Sequence, residues 1–137
     1  MTRTLKLASL ALLLIVGGTS LAAAQSLAAS HWPTYRFELV DQTIHTGRNV
    51  PVSVRLIQAS TGKAVTTGTI TEQKLEMVMD GMAPMPAQVK ALPPDTNGNY
   101  QFASDVTMPG DWELDLSATV PGQQDPIHGT LKFQVVK

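Results

Sequence analysis

The stretch "DWELDLSATV", residues 111–120, decides the fold. Trp112, Leu114, Leu116, Ala118 and Val120 alternate with Glu113, Asp115, Ser117 and Thr119. Successive side chains of a strand point to opposite faces, so this spacing predicts one buried face and one wet face. A helix would scatter the same apolar set around its circumference. The period recurs on either side. Tyr35, Phe37 and Leu39 share a face, as do Val50, Val52, Val54 and Leu56, and Leu75, Met77 and Met79. Shorter examples are Val89 with Ala91 and Tyr100 with Phe102, and Leu131, Phe133 and Val135 close the chain. Turn formers separate these runs: His45-Thr46-Gly47, Ser60-Thr61-Gly62, Pro93-Pro94-Asp95, Asn97-Gly98, Pro109-Gly110 and Pro121-Gly122. No segment sustains a helical period. The prediction is an all-β fold, an Ig-like antiparallel β-sandwich of about seven strands. The chain has no cysteine, so "Ig-like" describes architecture without the Cys–Trp–Cys signature of antibody domains.

The amino-terminal residues read differently. Arg3 and Lys6 precede an apolar run from Leu7 to Val16, and small residues follow up to Ala22-Ala23-Ala24. This is the layout of a secretory signal peptide, residues 1–24, cleaved after Ala24. The apolar run is short for a membrane span of about 20 residues. Extended to Ala24, it would serve as an uncleaved anchor, and that alternative stays open. Residues 25–33 form a polar lead-in, and residues 34–137 are a single domain large enough for its own core. Cleavage predicts a periplasmic or secreted protein with no direct membrane insertion. Arg3 and Lys6 are two of only ten Lys+Arg, set against eleven Asp+Glu, so the exported chain is mildly acidic. This balance argues against nucleic acid as a partner, and no basic stripe suggests lipid binding.

The other unusual segment is "EMVMDGMAPM", residues 76–85. It holds Met77, Met79, Met82 and Met85. Met77 and Met79 continue the inward face of Leu75, a position where methionine commonly fills core space. Asp80-Gly81, Pro84 and Pro86 break the strand and set Met82 and Met85 in a loop. There they are either an apolar plug over the sandwich mouth or ligands for a soft metal. Thioether sulfur is a neutral, polarisable donor that favours Cu(I) or Ag(I) over Zn(II), Mg(II) or Ca(II). Met108, before the Pro109-Gly110 turn, can reach the same end. The candidate metal ligands are therefore Met77, Met79, Met82, Met85 and Met108, with Cu(I) or another soft ion as cargo. His45, in an expected hairpin turn, and His128, at the start of the last strand, are weaker candidates. His31 becomes a chelating amino terminus only if cleavage follows Ser30 instead.

Nothing suggests catalysis. No Ser-His-Asp order, paired carboxylate motif or phosphate-cradling glycine loop occurs, and Asp111, Glu113 and Asp115 have the spacing of a solvated strand face. The expectation is a protein that is not an enzyme. "YRFELV" (35–40), "KLEMVMDGMAPMPAQVKALP" (74–93), "YQF" (100–102) and "MPGDWELDLSATVPG" (108–122) resemble the FixH/YtkA-like family. More narrowly, they are similar to exported single-domain members associated with heavy-metal and copper efflux systems. The family pattern, a methionine, an Asp-Gly-Met turn and a later Met-x-Gly-x-Trp, falls on Met77, Asp80-Gly81-Met82 and Met108, Gly110, Trp112. Relatives often carry methionine where Met85 stands, whereas Met79 departs from the pattern. The resemblance implies an Ig-like sandwich and a copper or heavy-metal setting, with an efflux pump or a membrane assembly complex as partner. The competing expectation is a metal-free interaction module whose methionine loop docks on such a complex.

Overall fold

A computed structural model describes residues 34–137; the predicted leader and lead-in, with His31, lie outside the described residues. Each apolar alternation becomes a strand. In chain order these are β1 (Tyr35–Leu39), β2 (Ile44–His45), β3 (Gly47–Gln58), β4 (Thr69–Val78), β5 (Met85–Ala87), β6 (Val89–Leu92), β7 (Tyr100–Val106), β8 (Gly110–Thr119) and β9 (Ile127–Val136). No helix occurs among the described residues. A four-stranded sheet in the order β1-β3-β7-β6 faces a five-stranded sheet in the order β2-β9-β8-β4-β5. Seven of the strands follow the ABED and GFC order of the immunoglobulin sandwich, and β2 and β5 extend the second sheet at its two edges.

The strands number nine rather than about seven because β2 and β5 have only two and three residues. Neither is long enough to display an alternation. Within this antiparallel sandwich one pair is parallel, β2 with β9, through Ile44↔Val135 and His45↔Val136. These short strands let the chain change sheets. It leaves the edge of the first sheet at β1 and joins the edge of the second at β2, then returns from β5 to β6 on the opposite side. Both open sides of the sandwich are crossed by covalent chain, a way of limiting exposed edge length. The backbone Asp105 N–H donates to Gln88 O at 2.9 Å and pins the link between β5 and β6.

The core lies where the periodicity placed it. Phe37, Val52, Val54, Leu56, Phe102 and Val106 of one sheet meet Leu75, Met77, Trp112, Leu114, Leu116 and Phe133 of the other. On the outer face of β4 and β8, Glu76 and Glu113 stand directly opposite each other. Their like charges are offset by Lys74 (2.7 Å from Glu76) and Lys132 (2.9 Å from Glu113). Ser117 departs from the expected outward, wet position and is buried. His128 Nδ1 lies 2.7 Å from its hydroxyl, with Glu72 on the other side, so neighbouring strands cover a residue short enough to be covered.

Tyr100 ties the β3–β4 connection to β7. Its hydroxyl donates to Val65 O at 2.8 Å and accepts from the Gly68 N–H at 3.1 Å. Burial pushes the phenol above its ordinary pKa. Tyr100→Phe leaves the Gly68 N–H and the Val65 carbonyl without this partner, so a loss of about 1–3 kcal/mol is expected. Urea denaturation of the two proteins measures it, and equal midpoints would show that the hydroxyl is dispensable.

Candidate metal centre

The five candidate methionines reach one end of the sandwich from three chain segments. The first segment is the end of β4, where Met77 points into the core. β4 stops at Val78, so Met79 lies just outside it; the expectation that it continues the strand is corrected by one residue. It is nevertheless half-buried and packs against the core. Met79-Asp80-Gly81-Met82 then forms a tight turn, closed by the Met82 N–H donating to Met79 O at 3.2 Å. Gly81 supplies the positive φ, 73°, that the third position of a type II turn requires. A Cβ there would meet nothing, so the need for glycine is conformational rather than steric.

The second segment is β5. The flanking prolines place Met85 in a loop by sequence, but it is the first residue of this edge strand and pairs directly with Met77. Pro86 follows on the same edge strand, the place in a sheet where a missing N–H is tolerated. Directly opposed residues share a face with Cβ atoms about 4.5–5.5 Å apart. The pairings Met85↔Met77, Met77↔Trp112 and Trp112↔Phe133 therefore define one row across the inner face of the five-stranded sheet.

The third segment is the turn before β8. The indole N–H of Trp112 donates to Met108 O at 3.1 Å and holds that turn against the same row. Gly110 adds a close approach, because a Cβ at this position would lie 2.8 Å from the Met77 methyl carbon Cε. Its φ of 143° also suits glycine better than an L-residue. Gly110→Ala should cost about 1–3 kcal/mol through overpacking and displace the Met77 tip. Chemical denaturation checks the cost, and an unchanged midpoint would mean that Met77 moves aside freely.

Burial divides the five. Met77 is 7% exposed and Met79 is half-buried, whereas Met82 is 63%, Met85 42% and Met108 39% exposed. Among the described residues, the remaining exposed large hydrophobic side chains are Leu92 and Val136. Neutral thioethers leave the charge of a bound cation uncompensated. Asp80 supplies a carboxylate within the turn, and residues 79–86 contain no cation. No cluster of three or more His, Asp or Glu that could hold a metal is present among the described residues.

The histidines separate. His128 lies on the outer face beside Ser117, on a β9 position paired far from the methionine end. His45 is in β2 rather than in a turn, beside Val136 at the methionine end, with Nδ1 2.9 Å from Lys137 O. Its closeness to that end depends on a parallel pairing between residues about ninety positions apart. No local signal in the sequence announces it.

The family model described as YtkA-like matches residues 32–117. The chain belongs to the YtkA-like family. The matched stretch runs from before β1 into β8 and includes Met77, Met79, Met82, Met85 and Met108. It therefore spans all three segments that build the methionine end of this YtkA-like domain. Among curated proteins, none is similar enough in sequence to match the chain.

Proposed function

We propose that this YtkA-like protein is an exported, periplasmic accessory protein that takes up Cu(I) or a similar soft ion and hands it on. Met77, Met82 and Met85, with Met108 and Met79, are the proposed donors. The partner is an efflux pump or a cuproprotein assembly complex at the membrane. One observation carries this reading: methionines from three chain segments lie at one end of the sandwich, and three of them are exposed. Soft, neutral sulfur suits Cu(I), and a site built from neutral ligands releases its ion more readily than one built from thiolates. The buried Met77, held between Met85 and Trp112, provides a fixed donor. The exposed Met82 and Met85 are where a partner's ligands can replace the protein's own. No step of bond-making on a substrate is required, consistent with a carrier that is not an enzyme. Competition for Cu(I) between the purified domain and a colorimetric Cu(I) chelator tests the proposal. A protein that withdraws no copper would overturn it.

The same exposure favours one other reading. Met82, Met85 and Met108 expose apolar side chains at that end, and methionine adapts its shape to a partner. In that case the end docks on a membrane complex without metal. Chelator competition separates the two readings, because docking predicts no affinity for copper.

A further inference from the structure

Methionine is the only sulfur-bearing residue in the chain, since cysteine is absent. A two-electron oxidant therefore meets no thiol here, and among the sulfurs the most accessible thioether is the first target. Accessibility is graded steeply, from 63% at Met82 through 42% at Met85 and 39% at Met108 to 7% at Met77. The consequences of oxidation are graded the same way. A sulfoxide on Met77 would put a polar oxygen into the core beside Trp112 and Gly110. On Met82, the most exposed of them, the added oxygen is readily hydrated, and on the partly exposed Met85 and Met108 it is less costly than in the core. Leucine would serve an exposed apolar position equally well as a packing unit, but leucine has no such chemistry.

We propose that Met82, Met85 and Met108 form a reversible oxidation site, with Met77 as the protected member of the cluster. With a peroxide as oxidant, a sulfur lone pair attacks the terminal oxygen. The S–O bond forms as the O–O bond breaks, and the departing oxygen takes the one proton carried by the transferred hydroxyl and leaves as water or an alcohol. Sulfur loses two electrons and the peroxide gains them. The reverse step needs a methionine sulfoxide reductase and a thiol pair, which loses two electrons to become a disulfide while the sulfoxide oxygen leaves as water. For the soft-metal carrier proposed above, and resting on that reading, oxidation replaces sulfur donors by hard oxygen and switches uptake off.

Hydrogen peroxide treatment of the folded, metal-free protein tests the site. Met77, Met79, Met82 and Met85 fall within one tryptic peptide, so fragment-ion mass spectrometry must assign each added oxygen. Met82 should oxidise first and Met85 and Met108 next, with Met77 slower by about tenfold or more. Circular dichroism should not change, and the two epimer-specific reductases should restore the original mass. Met77 oxidising as fast as Met82, or sulfoxides that resist reduction on the folded protein, would overturn the proposal. Ag(I) binding before and after peroxide then tests the link to metal. Failure of the untreated protein to bind Ag(I) would remove the carrier reading, while the site itself is decided by the mass measurements.

Discussion

Replacing Trp112 by alanine is expected to destabilise the domain by about 3–5 kcal/mol. The indole is 3% exposed and sits in the middle of the row Met85–Met77–Trp112–Phe133. Its removal leaves a cavity between β4 and β9 that neighbouring strands cannot close, because each is held in register by its own ladder. It also removes the donor to Met108 O, so the turn before β8 loses its tie to the core. Guanidinium denaturation measures the first effect, and the second is visible as faster backbone amide exchange around Met108. Trp112→Phe separates the two, because it keeps most of the apolar volume and removes only the N–H. A smaller stability loss with the same increase in exchange is expected. A Trp112→Ala protein within about 1 kcal/mol of wild type would mean that the row does not carry the core.

The alternation at residues 111–120 was readable because it reports a local property, the burial of every second side chain. β3, β7 and β9 were readable for the same reason. Pairing is not local. β2 and β5 were invisible because two or three residues show no period, and β2 exists only through a parallel match to the end of the chain. The same limit explains Met85. Flanking prolines suggested a loop, yet an edge strand tolerates proline, and pairing with Met77 brings Met85 onto the inner face. Its position in the alternation points Ser117 to water, but Glu72 and His128 reach over it from two adjacent strands.

The methionine end was more legible than the strand pairing. Four candidates lie within ten residues, and the Asp80-Gly81 turn already implied that the chain doubles back between Met77 and Met85. Two details were absent from the sequence signal. One is that Gly110 makes room for the Met77 methyl group across the sheet. The other is that His45 shares this end while His128 does not. Both depend on strand order, which side-chain periodicity leaves undetermined.

Changing Met82 and Met85 together to leucine should abolish most Cu(I) or Ag(I) binding while leaving the fold intact. Leucine keeps the volume and hydrophobicity but lacks sulfur, so each substitution should change stability by less than about 1.5 kcal/mol. Both side chains are substantially exposed, which places the expected change at the low end. Met77, Met79 and Met108 remain in the double variant, yet Met77 is buried and Met79 half-buried, so the site loses two of its three exposed donors. Competition with a Cu(I) chelator should therefore show at least about a tenfold weaker affinity, equivalent to about 1.4 kcal/mol. His45→Ala provides the contrast. Its imidazole shares the methionine end but lies on the outer face beyond β9, so its removal should matter much less than loss of the two sulfurs. If the wild type binds Cu(I) and the double variant competes equally well, the ion is held elsewhere and this cluster is not the centre. If neither binds, the exposed methionines are better explained as a docking surface. In that case the same two substitutions, which preserve apolar area, should leave association with a membrane partner unchanged, whereas Met82→Glu with Met85→Glu should abolish it.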